Sequence, residues 1–188
     1  MEGTDLMIVH GNLAAAAFAG FLALMPAALA QTAAEVPAPE KVSKAVTNYT
    51  RLRSQIATAG VLRDGAVAEL KGFGFTAVLD LRTPQEGTEP EQRAVLAAGM
   101  RYFNIPIGAA PVAEAQLIEF AKIVEDKSNH PLLIHCQSAN RVGAMWTLYR
   151  AVRGAPFATA VAEGRSIGLK PDRESVVRAQ LGQPPVGR

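Results

Sequence analysis

The chain predicts an α/β fold: one domain on a central parallel sheet of about four to five strands flanked by helices. Three observations carry this. Short apolar, β-prone runs alternate with segments of helical period, as in strands joined by crossover helices. At 188 residues and 49% hydrophobic content, the chain has material for one core and a modest extension. One apolar run, Leu132 to His135, ends in a Cys that opens a small polar loop, and open parallel sheets bind ligands at such strand ends.

The elements follow in order. Val42 to Arg53, with apolar Val42, Val46 and Tyr49, reads as a first helix. Gln55 to Thr58 reads as a short strand closed by Gly60. Asp64 to Lys71 reads as a helix with Asp64 as its cap, Val67 and Leu70 as its buried pair, and Gly72 and Gly74 as its stop. Phe75 to Asp80 is a buried strand, Glu89 to Ala98 a helix ended by Gly99, and Arg101 to Ile105 a strand stopped by Pro106. Val112 to Asp126 presents Leu117, Phe120, Ile123 and Val124 on one helical face. After the strand Leu132 to His135 come helices at Val142 to Val152, Phe157 to Ser166 and Arg173 to Ala179.

The first thirty residues differ from the rest. Leu13 to Ala30 is apolar and uncharged and closes with Ala28-Leu29-Ala30 before Gln31, the small-x-small pattern of a signal-peptide cleavage site. Residues 1–30 are therefore expected to be a signal peptide, 31–44 a flexible linker and 45–182 the domain. Export, to the periplasm, follows. An uncleaved membrane anchor is the rival, since Glu2 and Asp5 stand where basic residues are usual and the run approaches a short span. Cleavage takes the acids from 17 to 15 against 19 basic residues, a formal charge of +4, and would leave no stable membrane association.

Composition excludes other classes. A formal charge of +2 without a basic block argues against nucleic acid. One Cys makes no intramolecular disulfide, and His10, His130 and His135 are too scattered for a metal site. No Walker or dinucleotide fingerprint is present, so no cofactor is expected.

The run His135-Cys136-Gln137-Ser138-Ala139-Asn140-Arg141-Val142-Gly143-Ala144 carries the chemistry. Loop amides and a helix N-terminus make a cradle for an anion. Arg141 can grip two oxygens of a phosphate at once, and the same field favours the thiolate of Cys136.

These residues, with Ala57-Thr58-Ala59-Gly60, Val78-Leu79-Asp80-Leu81-Arg82, Gly99, Tyr102 and Ile105-Pro106-Ile107, resemble bacterial members of the dual-specificity, tyrosine-phosphatase-like superfamily. The similarity covers about Tyr49 to Leu169. It implies Cys136 as nucleophile, Arg141 as oxyanion clamp, and His135 orienting the loop and helping keep Cys136 ionised. Gln137, Ser138, Ala139, Asn140 and Val142 would bind substrate, a phosphorylated protein or a small phosphate ester. Four departures stand out. Only four residues separate Cys136 from Arg141, where the family has five. Ala139 stands where relatives have Gly, and Val142 where a Ser or Thr is common. The loop Gly108-Ala109-Ala110-Pro111 lacks the Asp of the general acid. Asp80 and Glu114 are the candidates for that proton; without an acid, aryl phosphates should react and alkyl phosphates poorly.

Two alternatives stay open. The four-residue spacing and Val78 to Glu86 also match a rhodanese, with a persulfide on Cys136, although the helical segment after Gly154-Ala155-Pro156 opposes it. Ala139, Val142 and the absent Asp would also suit an exported anion-binding protein without turnover. Elsewhere the residues read as structure. Asp80 pairs with Arg82 before it does chemistry. Trp146 and Tyr149 pack a helix onto the sheet, Glu163 and Arg165 form a brace or a solvated pair, and Glu114 is a helix N-terminal carboxylate.

Overall fold

A computed structural model describes residues 37–185. The strands are β1 (Thr50–Arg53), β2 (Ile56–Ala59), β3 (Ala77–Asp80), β4 (Arg101–Asn104) and β5 (Leu132–His135). The helices are α1 (Ala66–Gly72), α2 (Glu89–Ala97), α3 (Glu114–Glu125), α4 (Asn140–Val152), α5 (Phe157–Ile167) and α6 (Pro171–Gln180). The sheet order is β1-β2-β5-β3-β4; β1 runs antiparallel to β2 and the other pairs are parallel. The predicted parallel sheet is thus present, with an antiparallel strand on one edge.

Strand residues alternate between two cores. Leu79, Leu132 and Ile134 join Phe120 of α3, Val142, Met145 and Trp146 of α4, Ile167 of α5 and Val177 of α6. Val78 and Leu133 turn to the other face, with Ala66 and Leu70 of α1 and Val95 of α2. By this alternation Asp80 and His135, paired in register, fall on the α1–α2 face. β5 is central, so its carboxyl end is flanked by the ends of β2 and β3.

The helix expected over Val42 to Arg53 does not form. Val46 instead makes an antiparallel bridge to Leu62, and Thr50–Arg53 alternates half-buried and exposed residues as strand β1. The period of Val42, Val46 and Tyr49 reflects their packing on the α1 side of the core, where a loop meets the same demand as a helix. Asp64 is not the cap of α1; Gly65 precedes that helix at φ 84, with no side-chain cap, and Ala66 replaces Val67 in the buried pair. Residues 37–44, the described part of the expected flexible linker, are tied down: Ala38 is buried and its N–H donates to the Ser54 carbonyl, while Tyr49 Oη donates to the Pro39 carbonyl. The expected signal peptide lies outside the described residues. Among the described residues no helix is long and apolar enough to cross a membrane.

Helix α4 is fixed by contact with α5. A Cβ on Gly143 would stand 2.6 Å from the Gly164 carbonyl oxygen, and one on Gly164 would stand 2.1 Å from Thr147 Oγ1. Only glycine at both positions lets the helices approach this closely. Trp146 and Tyr149 pack as expected, their rings 5.3 Å apart, and Tyr149 lies edge-on to Phe120. Glu163 and Arg165 do not pair, because residues two apart on a helix face different ways. Glu163 accepts from Trp146 Nε1, Arg53 and Arg150, while Arg165 pairs with Glu174.

Candidate active site

β5 carries His135 and Cys136 to the sheet edge, and α4 starts four residues beyond Cys136 at Asn140. The loop between them turns its carbonyls outward. The Gln137 carbonyl accepts from Val61 N–H at 3.1 Å, and the Ser138 carbonyl accepts from Asn48 Nδ2 at 3.4 Å. Among the described residues, the N–H groups of 137–142 have no hydrogen-bond acceptor. A run of unpaired amides at a helix start is an anion nest. Ala139 makes the turn possible at φ 64 and ψ −4, a left-handed conformation that an L side chain enters at a cost of about 1 kcal/mol. The expectation that this position needs glycine-like backbone is met, with the strain retained.

Cys136 is 1% exposed at the base of this loop. Gln137 is exposed, Ser138 and Asn140 are half-buried, and Ala139 and Val142 are buried. Asn140 Oδ1 accepts from Lys170 N–H, tying the loop to the turn before α6. Val142 can offer a ligand only its N–H, since its side chain belongs to the core.

Arg141 leaves α4 toward the loops after β3 and β4. Its Nη1 donates to the Ile107 carbonyl at 3.0 Å, and Nη1 and Nη2 donate to the two carboxylate oxygens of Glu86 at 2.6 Å each. These hydrogen bonds, and beyond them the neighbouring Cys136 sulfur, raise the guanidinium's hold on its proton against the cost of burial. Arg141 in turn pulls the Glu86 carboxyl down to about 2, helped by Thr83. Thr83 N–H and Oγ1 donate to Glu86 Oε2 at 2.8 and 3.1 Å, closing a capping box on the 3-10 turn Pro84–Glu86. Glu86 was not among the expected site residues. Its signal was present as Thr83-x-x-Glu86, the spacing of such a box.

Neither expected acid serves. Asp80 is fully buried; Oδ1 accepts from Arg82 N–H and Nε, and Oδ2 from Arg82 Nη2 and Tyr102 Oη. Burial alone would raise its carboxyl, but Arg82's hydrogen bonds and the charges of His135 and Arg82 hold it below the usual range. An ionised, saturated, buried carboxylate cannot protonate a leaving group. Glu114 is exposed at the start of α3 and lines a groove with Leu117, Ile118, Leu148 and Tyr149, a groove that includes no residue of the Cys136 loop. Among the described residues, the carboxylate reaching the Cys136–Arg141 pair is that of Glu86.

His135 is buried beneath the loop, its Nε2 2.7 Å from Glu91 Oε1 and 3.6 Å from Asp80 Oδ1. Arg82 Nη2 joins Asp80 Oδ2 and Glu91 Oε2 at 2.8 Å each. The ligating atoms of Asp80, Glu91 and His135 lie within 4.8 Å of one another, close enough to raise the question of a metal. The geometry answers it. Ligands on a tetrahedral zinc stand about 3.3 Å apart, whereas Glu91 Oε1 and His135 Nε2 are only 2.7 Å apart. Arg82 already supplies the positive charge. Glu91 also escaped the sequence reading, although it stands four residues before buried Val95 on the inward face of α2.

A buried sulfur, a loop of unpaired amides and an anchored guanidinium meet at the end of a central parallel strand, the arrangement that cysteine-dependent phosphatases use. The family model described as "DSP-PTPase phosphatase fused to NAD+ kinase" matches residues 32–176, and the chain belongs to that family. Membership in this family does not favour the rhodanese and non-enzymatic readings. Inositol diphosphatase DSP5 of Arabidopsis thaliana is 24% identical over 135 residues, a match covering 65% of this chain and 63% of that protein. The chain thus spans less than two thirds of that relative. Among solved structures, P. aeruginosa TpbA in complex with pTyr superposes with a TM-score of 0.59 at 20% identity, over 78% of this chain and 91% of that one. The core catalytic domain of the PP-IP phosphatase SIW14 from S. cerevisiae gives 0.58 at 18% identity, over 70% and 84%. At these identities the likeness is one of fold.

Proposed function

We propose that the Cys136 thiolate attacks the phosphorus of a phosphate monoester, forming a phosphocysteine as the P–O bond to the leaving group breaks. Water then attacks phosphorus, the P–S bond breaks, and inorganic phosphate and the thiolate are released. Arg141 and the amides of 137–142 hold the equatorial oxygens, where charge develops. The observation that carries this reading is the run of unpaired amides between a buried sulfur and a guanidinium fixed by Glu86 and Ile107.

The substrate class follows from what the loop 108–111 lacks. With no carboxylate there, the leaving group departs as an anion and takes its proton from water, so aryl phosphates react faster than alkyl phosphates. The same logic admits a diphosphate, whose leaving group is itself a stable anion. The names of DSP5 and SIW14 and the pTyr bound to TpbA support phosphate esters and diphosphates as the class. The physiological substrate is then a phosphorylated protein or a small phosphate ester, met outside the cytoplasm. Export rests on the apolar run closing at Ala28-Leu29-Ala30, and a mature N-terminus at Gln31 in a periplasmic fraction is its test by mass spectrometry.

Hydrolysis of para-nitrophenyl phosphate, measured beside thiosulfate-to-cyanide sulfur transfer, tests the activity. Phosphate release without sulfur transfer is expected, and the reverse would return Cys136 to a persulfide role.

A further inference from the structure

Glu91 occupies a position where a helix facing a core calls for an apolar side chain. It shares the inward face of α2 with Val95, while Glu89 and Arg93 pair on the outside. Its side chain is 9% exposed and reaches His135, which is fully buried. Although Glu91 Oε1 and His135 Nε2 are 2.7 Å apart, they are not aligned as a hydrogen bond. Among the described residues both, together with His135 Nδ1, are buried side-chain atoms left without a hydrogen-bond partner. A buried polar atom without a partner lowers stability, and a core selected for stability alone would place a Leu at position 91. Unsatisfied polar groups that persist in a core cluster at functional sites.

We propose that Glu91 is a positioning residue of the phosphatase reaction, acting on the nucleophile through His135. The inference rests on the phosphatase reading above. At 2.7 Å the Glu91 carboxylate faces the imidazole edge and confines the ring on that side. Glu91 is itself held by Arg82, whose other partner is Asp80. Arg82 balances Asp80, which leaves the Glu91 carboxylate to face the imidazole. Positive character drawn to that ring lies one residue from the sulfur and favours its anionic form through nucleophilic attack and release. Tyr102 Oη, a neutral phenol donating to Asp80, and the Arg141 guanidinium, beside the sulfur, are the other titratable groups nearby.

The test uses Glu91→Gln, Glu91→Asp and His135→Asn in the full chain. Glu91 lines the cleft between α1 and α2 beside Leu62, Pro90 and Ala94, so these substitutions meet open space on one side. Two readouts are taken: kcat and KM on para-nitrophenyl phosphate, and the rate of Cys136 alkylation by iodoacetamide, which needs no turnover. For Glu91→Gln, kcat and alkylation should each fall about tenfold, with inhibition by inorganic phosphate little changed. Glu91→Asp should recover part of the loss. In a His135→Asn background, Glu91→Gln should add nothing, because the path through the imidazole is already cut. Full additivity, native rates in Glu91→Gln, or equal loss of kcat and phosphate binding would each overturn the proposal. If the native chain fails to cleave aryl phosphates while Glu91→Gln still slows alkylation, the phosphatase reading fails and the link from Glu91 to Cys136 stands.

Discussion

Asp80–Arg82 and Glu86–Arg141 are the same chemical pair, a carboxylate forked by a guanidinium, set in two environments beside one loop. The first is sealed, with side chains 0% and 6% exposed, and both oxygens of Asp80 are taken by Arg82 and Tyr102. The second opens to solvent at 30% for Glu86 and 13% for Arg141, and its guanidinium interacts with the Cys136 sulfur. Burial sets the role. A sealed pair supports the sheet edge and the imidazole below the loop, and breaking it leaves an uncompensated charge. An open pair holds its guanidinium in one orientation while leaving it within reach of a second anion.

The largest effects should come from the sulfur and guanidinium that the open pair serves. Cys136→Ser should abolish turnover of para-nitrophenyl phosphate while tungstate, an oxyanion probe, still binds by calorimetry, because the amides and Arg141 survive. Arg141→Lys should lose both, with kcat/KM down by about a hundredfold or more, since an ammonium cannot span two oxygens. Next comes the contrast between the pairs. Asp80→Asn should cost about 3 kcal/mol in urea unfolding. Glu86→Gln should cost less than about 1 kcal/mol yet lower kcat/KM by about tenfold, through a loosened guanidinium. Equal stability losses for the two variants would erase the distinction.

The open pair also predicts a pH dependence. Arg141 holds the folded Glu86 carboxyl at about 2, below its ordinary 4.5. A depressed carboxyl stabilises the fold fully above the unfolded value and loses that contribution as pH falls through the folded one. The stability gap between the native chain and Glu86→Gln should therefore be constant above about pH 5 and close between about 4.5 and 2. A gap that persists at pH 2 would mean that the charge of Glu86 is not what holds Arg141. One effect is purely local: Ala139→Gly should raise stability by about 1 kcal/mol, with activity unaltered in kind, by releasing the left-handed strain.

Strands β3 and β5 were legible because they are buried and mostly apolar, β4 because Gly99 and Pro106 bound its half-buried Tyr102 and Phe103, and the six helices follow 3.6-residue faces. The segment 42–53 was not. Its apolar spacing fits a helix, but edge strand β1 and the bridge at Val46 are settled by pairing with β2 and Leu62, which local pattern does not contain. At the site, Cys136, Arg141 and the loop between them stand together on one strand–loop–helix unit, so sequence proximity sufficed. Glu86 and Glu91 reach the site across the fold, from a turn and a helix, and their charges look like those of any solvated surface until the register of Asp80 with His135 is known. The general-acid candidates failed for the same reason, since neither the burial of Asp80 nor the separate groove at Glu114 is written in composition.

The central claim is that phosphate passes through the Cys136 sulfur. Rapid acid quench of the native chain during turnover of an aryl phosphate, followed by peptide mass spectrometry, measures this directly. A phosphoryl group on the Cys136 peptide, absent from Cys136→Ser, is the result predicted here. Turnover with no phosphoryl on that peptide, or with phosphate trapped on another residue, would contradict it.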